Sequence, residues 1–376
     1  MSIVLSHMSA LRAIRHQRQT RGTLTWKSID PDEQKRALIS CVPRQSDIDK
    51  VHLATLGFWD DDNGDEWLDI LLAHGSNRRR TQRIREHVLS KTLPAEALMR
   101  VEQDLYATSP AFTALLCSRG KTLGAVVMLL MELAGTYSLP AEATKHIEWG
   151  GIYPEPYEKI IDEGNGGDTG NAGNDDSHFE VPVEQAHYGC EPAVTIPQLI
   201  SMAAWSKSSE DSAFRMAVKL IKAGSASPAE SMCFAMFSLP LRHGGFGCGS
   251  IGKGFKLNHQ INFDEIAQTM AQGIPYAICD AYLEEADADL EYNGIGHEEM
   301  NYRIHDGQRN NGLKAMGVTV FVINRDQMKD ITALEALAMV LHKRAGKRIQ
   351  YRFKGYRKRQ ERLLNDLREG IGLPPV

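Results

Sequence analysis

The spacing of apolar residues is most informative between residues 276 and 323. A short run, Tyr276, Ala277, Ile278 and Cys279, ends on Asp280. A second run, 288–292, carries Glu291 and stops at Asn293-Gly294. A third, 318–323, is apolar and β-branched, as a buried strand is. Between the second and third, residues 306–316 have helical spacing and stop at Gly317, a residue suited to the left-handed position after a helix. The pattern predicts strand, strand, helix, strand, with acids at the strand ends.

Upstream, residues 210–222 predict an amphipathic helix with Phe214, Ala217, Val218 and Ile221 on one face and Gly224 closing it. Ser227, Pro228 and Glu230 spell a capping box that opens a helix over 228–238. Residues 196–204 predict a short helix with Pro197 in its first turn. A strand-like stretch, 105–108, leads into Ser109-Pro110 and a helix. Residues 122–134 are apolar nearly all round and predict a buried helix. Residues 9–18 predict a short basic helix, either a DNA-facing arm or a solvated amphipathic helix. The glycine-dense stretch 241–253 has a dinucleotide-loop spelling, but no strand feeds it and no helix follows, so a mobile loop bordering the sheet is expected. Residues 163–176 are Gly, Asn and Asp with little else; they cannot offset their ordering entropy and predict a flexible acidic spacer.

These elements predict a mixed α/β (α+β) chain in four parts: a mixed N-terminal domain (1–160), a linker (161–195), a mixed sheet flanked by helices (196–345) and a basic C-terminal helix or tail (346–376). With 376 residues, the chain is long enough for more than one core. A net charge of −5 excludes a protein that coats nucleic acid by bulk charge. Positive charge is local instead. Arg78, Arg79, Arg80, Arg83 and Arg85 form one cluster; Arg344, Lys347, Arg348, Arg352, Lys354, Arg357, Lys358, Arg359 and Arg362 form a denser one, interleaved with Tyr351, Phe353 and Tyr356. Basic groups with aromatics suit phosphate contact and base stacking; the alternative is a solvated helix with its aromatics packed inward. Six cysteines lack paired spacing, which points to a reducing cytoplasm. The first residues lack a secretory apolar core, and the longest apolar run, 123–134, is too short to span a bilayer.

The candidate chemistry follows from the period of a strand. Glu291 and Asn293 share one face while Leu290 and Tyr292 share the other. With Asp280 at the same level on a neighbouring strand, two carboxylates and an amide oxygen converge, and repulsion demands a proton or a cation. Oxygen donors suit Mg²⁺, which polarises a phosphodiester oxygen and activates a water. Each residue also has an ordinary role: Asn293-Gly294 is a hairpin-turn signal, Glu230 a capping residue, His297 a loop histidine, and Asp306 with Arg309 a surface helix pair.

At these residues the chain resembles the nuclease-like domain related to very-short-patch-repair endonucleases, a branch of the PD-(D/E)XK superfamily. The matching residues are Glu230, Gln260, Asp280, Glu291-Tyr292-Asn293-Gly294, His297, Asp306, Arg309, Leu313 and the run 318–323. The resemblance covers residues 227–341. It implies a restriction-endonuclease-like core and a Mg²⁺-dependent endonuclease acting on DNA. Asp280 and Glu291 would hold the metal, Glu230 would orient its water, and Asn293 would supply an amide oxygen. His297 would contact the scissile phosphate or act as an acid, and Arg309 would stabilise phosphate charge. One departure matters: Asn293 stands where that family has Asp and the wider superfamily often has Lys. The N-terminal half, with Ser109-Pro110 opening helices after a basic segment, resembles AbiEi-type antitoxin-like regions. That implies the alternative of a catalytically silent DNA-binding antitoxin or regulator with a toxin or regulatory protein as partner. DNA contacts are expected from Arg352, Lys354, Arg357, Lys358 and Arg359.

Overall fold

A computed structural model describes residues 2–44, 48–59, 67–79, 83–89, 92–141, 186–293, 300–352 and 354–376, with the side chains of 293 and 300–306 excepted. The expected spacer at 163–176, His297, Phe353, and the side chains of Asn293 and Asp306 lie outside the described residues. The chain is a mixed α/β protein. Its first part runs β1 (Ile3–Leu5), α1 (His7–Arg21), β2 (Lys27–Ser28), α2 (Pro31–Ile39), α3 (Lys50–Thr55), β3 (Leu68–Leu72), β4 (Ile84–Val88), β5 (Leu98–Glu102), β6 (Leu105–Thr108), α4 (Pro110–Cys117), α5 (Leu123–Ala134) and β7 (Tyr137–Ser138). The second part runs β8 (His187–Tyr188), α6 (Ile196–Trp205), α7 (Ser212–Val218), α8 (Pro228–Ser238), β9 (Lys256–Asn262), α9 (Glu265–Met270), β10 (Tyr276–Leu283), β11 (Ala288–Asn293), α10 (Met300–Ala315), β12 (Thr319–Asn324), α11 (Ile331–Arg344) and α12 (Tyr356–Gly370).

Two larger sheets organise most of these elements, and β7 pairs with β8 in a two-stranded sheet. The first has the order β2-β5-β6-β1-β3-β4. The second has the order β12-β11-β10-β9, with β9/β10 and β10/β11 antiparallel and β11/β12 parallel. A hairpin cannot join parallel neighbours, so α10 supplies the crossover from β11 to β12. Local signals set the helix starts. Ser109, Thr122, Thr195, Ser227 and Asp330 each accept a backbone N–H from the first turn of the helix they precede.

One apolar core runs from Val4 to Leu373 and takes in both sheets, α5, α8 and α12. α8 is buried almost all round and packs against α5, α12 and the second sheet. A smaller cluster under α9 and α10 contains Phe263, Ala277, Cys279, Tyr282, Leu313 and Val318. The expected helix over 210–222 is shorter, ending at Val218, and a 3-10 turn precedes it.

Two expectations from the sequence need correction. The basic helix α1 is neither an arm nor a solvated helix. Arg15 and Arg18 are buried, at 3% and 0% exposure. Arg15 donates twice to Glu132 of α5, Nε to Oε1 at 2.8 Å and Nη2 to Oε2 at 2.6 Å. Arg18 donates to the carbonyls of Glu132, Gly135 and Glu191, placing a cation at the C-terminal end of α5 where the helix dipole favours one. Periodicity missed this because the partners are far apart in the chain. The glycine-dense stretch is likewise packed rather than mobile: Phe246, Cys248 and Ile251 are buried in the core. A Cβ on Gly245 would run into the Leu239 carbonyl, so glycine is what lets the loop lie against the end of α8.

The Arg15–Glu132 pair gives a stability test. Glu132→Ala alone leaves a buried guanidinium without its counter-charge and is expected to destabilise by about 3–5 kcal/mol, whereas Arg15→Met with Glu132→Leu costs far less. Chemical denaturation measures both; equal losses would contradict this account.

Candidate functional site: an acidic cluster on the second sheet

The register of the second sheet sets the site. β10 pairs with β11 as Ala281↔Leu290 and Tyr282↔Asp289, which places Asp280 across from Glu291. Asp289 and Glu291 are two apart on β11 and share a face, while Leu290 packs in the main core. On β10 the alternation changes phase. Ala277 and Cys279 belong to the small cluster, Ala281 and Leu283 to the main core, and Tyr282 to the small cluster again. The change falls at Asp280. Its neighbour across the β9 pairing is Asn258, which has a left-handed backbone with φ 45°.

Glu230 reaches this place from the first turn of α8. Its backbone N–H donates to Ser227 Oγ at 3.1 Å, so Ser227 caps the helix. Its carboxylate Oε2 accepts from Ala226 N at 2.9 Å and from Asn258 Nδ2 at 3.4 Å. The expected capping box is therefore only half formed: Ser227 caps the helix, but the Glu230 carboxylate takes the amide of Ala226 rather than that of Ser227. Burial raises the Glu230 pKa above the usual carboxylate range. Asp280 accepts a backbone N–H from Tyr292 at 3.3 Å. Its pKa is raised well above the ordinary value, first by burial, then by Glu230, Glu291 and Asp289 in that order.

Asp289 is the residue that sequence reasoning missed. It is fully buried. Its Oδ1 accepts from Ala281 N at 3.2 Å, while Oδ2 is buried without a hydrogen-bond partner. Burial, and then the charge of Glu291, push its pKa up to about 8. The available signal was an acid in an otherwise apolar strand position, two residues before Glu291. Alternation alone did not distinguish it from a solvent-facing acid.

Arg309 of α10 is the cation of the cluster. Its side chain is 17% exposed and forms an ion pair with Glu291. The same Nη2 donates to the Ile278 carbonyl and lies 3.8 Å from Asp289 Oδ2. Burial disfavours the charged guanidinium, but Glu291 outweighs burial and raises its pKa. The cluster thus sets four carboxylates against one guanidinium. All the acidic donors are oxygens, as a hard cation such as Mg²⁺ requires, but Arg309 already stands against both Glu291 and Asp289. Among the described residues, however, no three His, Cys, Asp or Glu side chains converge as a ready-made metal site.

The expected DNA-contacting residues lie at and before α12. Arg352, Lys354, Lys358 and Arg359 are exposed. Arg357 is tied to Glu335, and Arg359 Nη1 donates to the Arg242 carbonyl at 3.0 Å. Tyr351 and Tyr356 stack on each other at 3.7 Å between centroids, and the Tyr351 hydroxyl accepts from Gln360 Nε2. These two aromatics are therefore engaged with the protein, while most cations of the segment face outward.

A second polar cluster sits on the first sheet. Asp69 is 1% exposed. Its Oδ1 lies 2.7 Å from His87 Nε2, and His7 stacks on His87 at 3.6 Å. Ser6 Oγ lies 2.9 Å from His7 Nδ1. Burial, then the neighbouring His87, lower the His7 pKa to about 3. Comparison with known proteins gives no match: no family model, no curated protein and no solved structure is significantly similar to the chain. Among the described residues no helix is long and apolar enough to cross a membrane.

Two measurements follow. Asp280→Asn removes one of four repelling carboxylates and is expected to raise stability without divalent cations at pH 8 by on the order of 1 kcal/mol, read as a higher Tm; a lower Tm would count against the repulsion. For His7, the folded ring stays neutral down to about pH 3 while the unfolded ring takes up a proton below its ordinary 6.5. Its contribution is intact above pH 6.5 and is lost as pH falls towards 3, with a slope of at most about 1.4 kcal/mol per pH unit. Urea unfolding at about pH 7 and about pH 5 should show a smaller acid loss in His7→Gln than in the wild type.

Proposed function

We propose that this protein acts on DNA phosphodiesters as a Mg²⁺-dependent endonuclease of the PD-(D/E)XK type. The observation that carries the reading is the antiparallel register Ala281↔Leu290 and Tyr282↔Asp289, whose continuation sets Asp280 opposite Glu291, with Glu230 of α8 the neighbouring charge that perturbs Asp280 most strongly. Glu230, Asp280 and Glu291 come from three separated stretches of sequence, and the charges of Glu230 and Glu291 both act on Asp280. The order α8-β9-α9-β10-β11-α10-β12 follows the helix, three strands, helix and strand that the resemblance implies, with α9 as an added helix between the first two strands.

In this reading Asp280 and Glu291 would hold the ion, and Glu230, itself fixed by Ala226 and Asn258, would orient a water for attack. A bound Mg²⁺ would supply Lewis-acid polarisation of a phosphodiester oxygen. Arg352, Lys354, Lys358 and Arg359 contact the phosphate backbone and position the duplex; they do not read sequence. Asn293 and His297 complete the set proposed from the resemblance. A toxin or regulatory protein would engage the N-terminal half.

One observation favours a second reading. Glu291 is already paired with Arg309, so the cluster carries its own cation. A catalytically silent DNA-binding antitoxin or regulator would need no more than that.

Plasmid nicking with and without Mg²⁺ separates the two. The nuclease reading expects metal-dependent cutting that falls by at least about 100-fold in Asp280→Ala. DNA retention without cutting in any divalent cation would leave the silent binder. For the basic segment, Lys354→Ala with Lys358→Ala is expected to weaken binding and to reduce the salt slope by about 0.9 for each duplex phosphate no longer neutralised.

A further inference from the structure

A cavity of about 520 Å³ opens between β5, the start of α4 and α6. Protein interiors otherwise pack densely, and spaces of roughly 300–1,000 Å³ are the size that takes a drug-sized molecule. Leu98 of β5, Ala111 of α4 and Met202 of α6 form a buried apolar floor. Met99 and Trp205 add half-buried wall. The Trp205 indole is held edge-on against Phe112, with ring centroids 5.9 Å apart. Pro94, Pro110 and Pro197 also line the space, and their locked φ angles limit how far the walls can close. A molecule entering a preformed cavity of this kind orders little of the protein.

The polar groups of the cavity are few, and they select the ligand. Ser109 is 7% exposed, and its Oγ accepts a long bond from Phe112 N, at 3.4 Å. Its hydroxyl proton meets no acceptor among the described residues, so the floor offers one donor. Ser109 Oγ is bonded to no basic side chain, so the hydroxyl serves binding rather than nucleophilic attack. Among the described lining residues there is no Lys, Arg or His to neutralise a phosphate, sulfonate or carboxylate. Glu96, exposed at the rim, repels such groups.

We propose that this cavity is a binding site for an uncharged, largely apolar small molecule that presents a hydrogen-bond acceptor to Ser109. None of its residues belongs to the acidic cluster, so the inference stands apart from the nuclease reading.

The test is fluorescence titration of the full chain with Prodan, an uncharged naphthyl ketone whose emission reports both polarity and hydrogen bonding at its carbonyl. Saturable binding at one site is expected, with emission shifted to the blue of the free dye. Anilinonaphthalene sulfonate, similar in size but negatively charged, is expected to bind at least about tenfold more weakly. Ser201→Trp and Ala95→Trp place an indole at exposed rim positions, and each is expected to weaken Prodan binding by about tenfold or more. Ser109→Gly removes the hydroxyl, while glycine is nearly as good as serine at this capping position. It is expected to weaken Prodan binding by about fivefold and to move the bound emission further to the blue. Absence of saturable Prodan binding, binding that neither rim indole weakens, or equal binding of the sulfonate would each overturn the proposal. Unchanged affinity and emission in Ser109→Gly would overturn it as well. Should Ser109→Gly fail to fold, the two rim variants and the charged dye still decide.

Discussion

Like charges held together in a region that excludes water form the constraint on which the second sheet turns. Glu230, Asp280, Asp289 and Glu291 come from three elements, and each is at least partly removed from solvent. Burial alone disfavours an ionised carboxylate, and each neighbouring carboxylate adds to that. The arrangement persists because the apolar core on either side is large: Leu290, Ala281 and Leu283 pack on one face, Cys279, Tyr282 and Leu313 on the other. Packing here overrides electrostatics.

The same physics is resolved in the opposite way in the first part of the chain. Glu132 is as deeply buried as Asp289, yet Arg15 meets both of its oxygens and the Leu139 amide donates to it as well. Both carboxylate oxygens of Glu132 are met by positive charge, and α1 and α5 are locked together. At Asp289 the Ala281 amide donates to Oδ1, and the Arg309 guanidinium stands 3.8 Å from Oδ2, farther than Arg15 from Glu132. A fully hydrogen-bonded buried ion pair such as Arg15–Glu132 rigidifies the elements it joins.

The geometry also separates positioning from chemistry. Asn258 bonds both the Gly224 carbonyl and Glu230, joining the approach to α8 with β9. α12 carries outward-facing cations, but its Leu363, Leu364 and Leu367 are part of the main core and it packs along α5. The basic segment is therefore held rigidly against the body that carries the acids. A helix fixed in this way loses little entropy on meeting a charged partner, unlike a free tail.

The order of strands and helices around residues 228–324 was legible in the sequence, because alternation, helical spacing, Ser227-Pro228 and Gly317 are local signals read within a few residues. So was the placement of Asp280 and Glu291 at strand positions. What only the tertiary structure decided was which groups meet. Arg15 and Arg18 looked like surface cations until α5 was brought beside them, and Arg309 looked like the surface partner of Asp306 until α10 was laid across β10 and β11. The glycine-dense loop looked mobile until Phe246 and Cys248 were seen in the core. Periodicity assigns a residue to a face, but a charge is stabilised by its neighbours in space, and those are set by the packing of elements far apart along the chain.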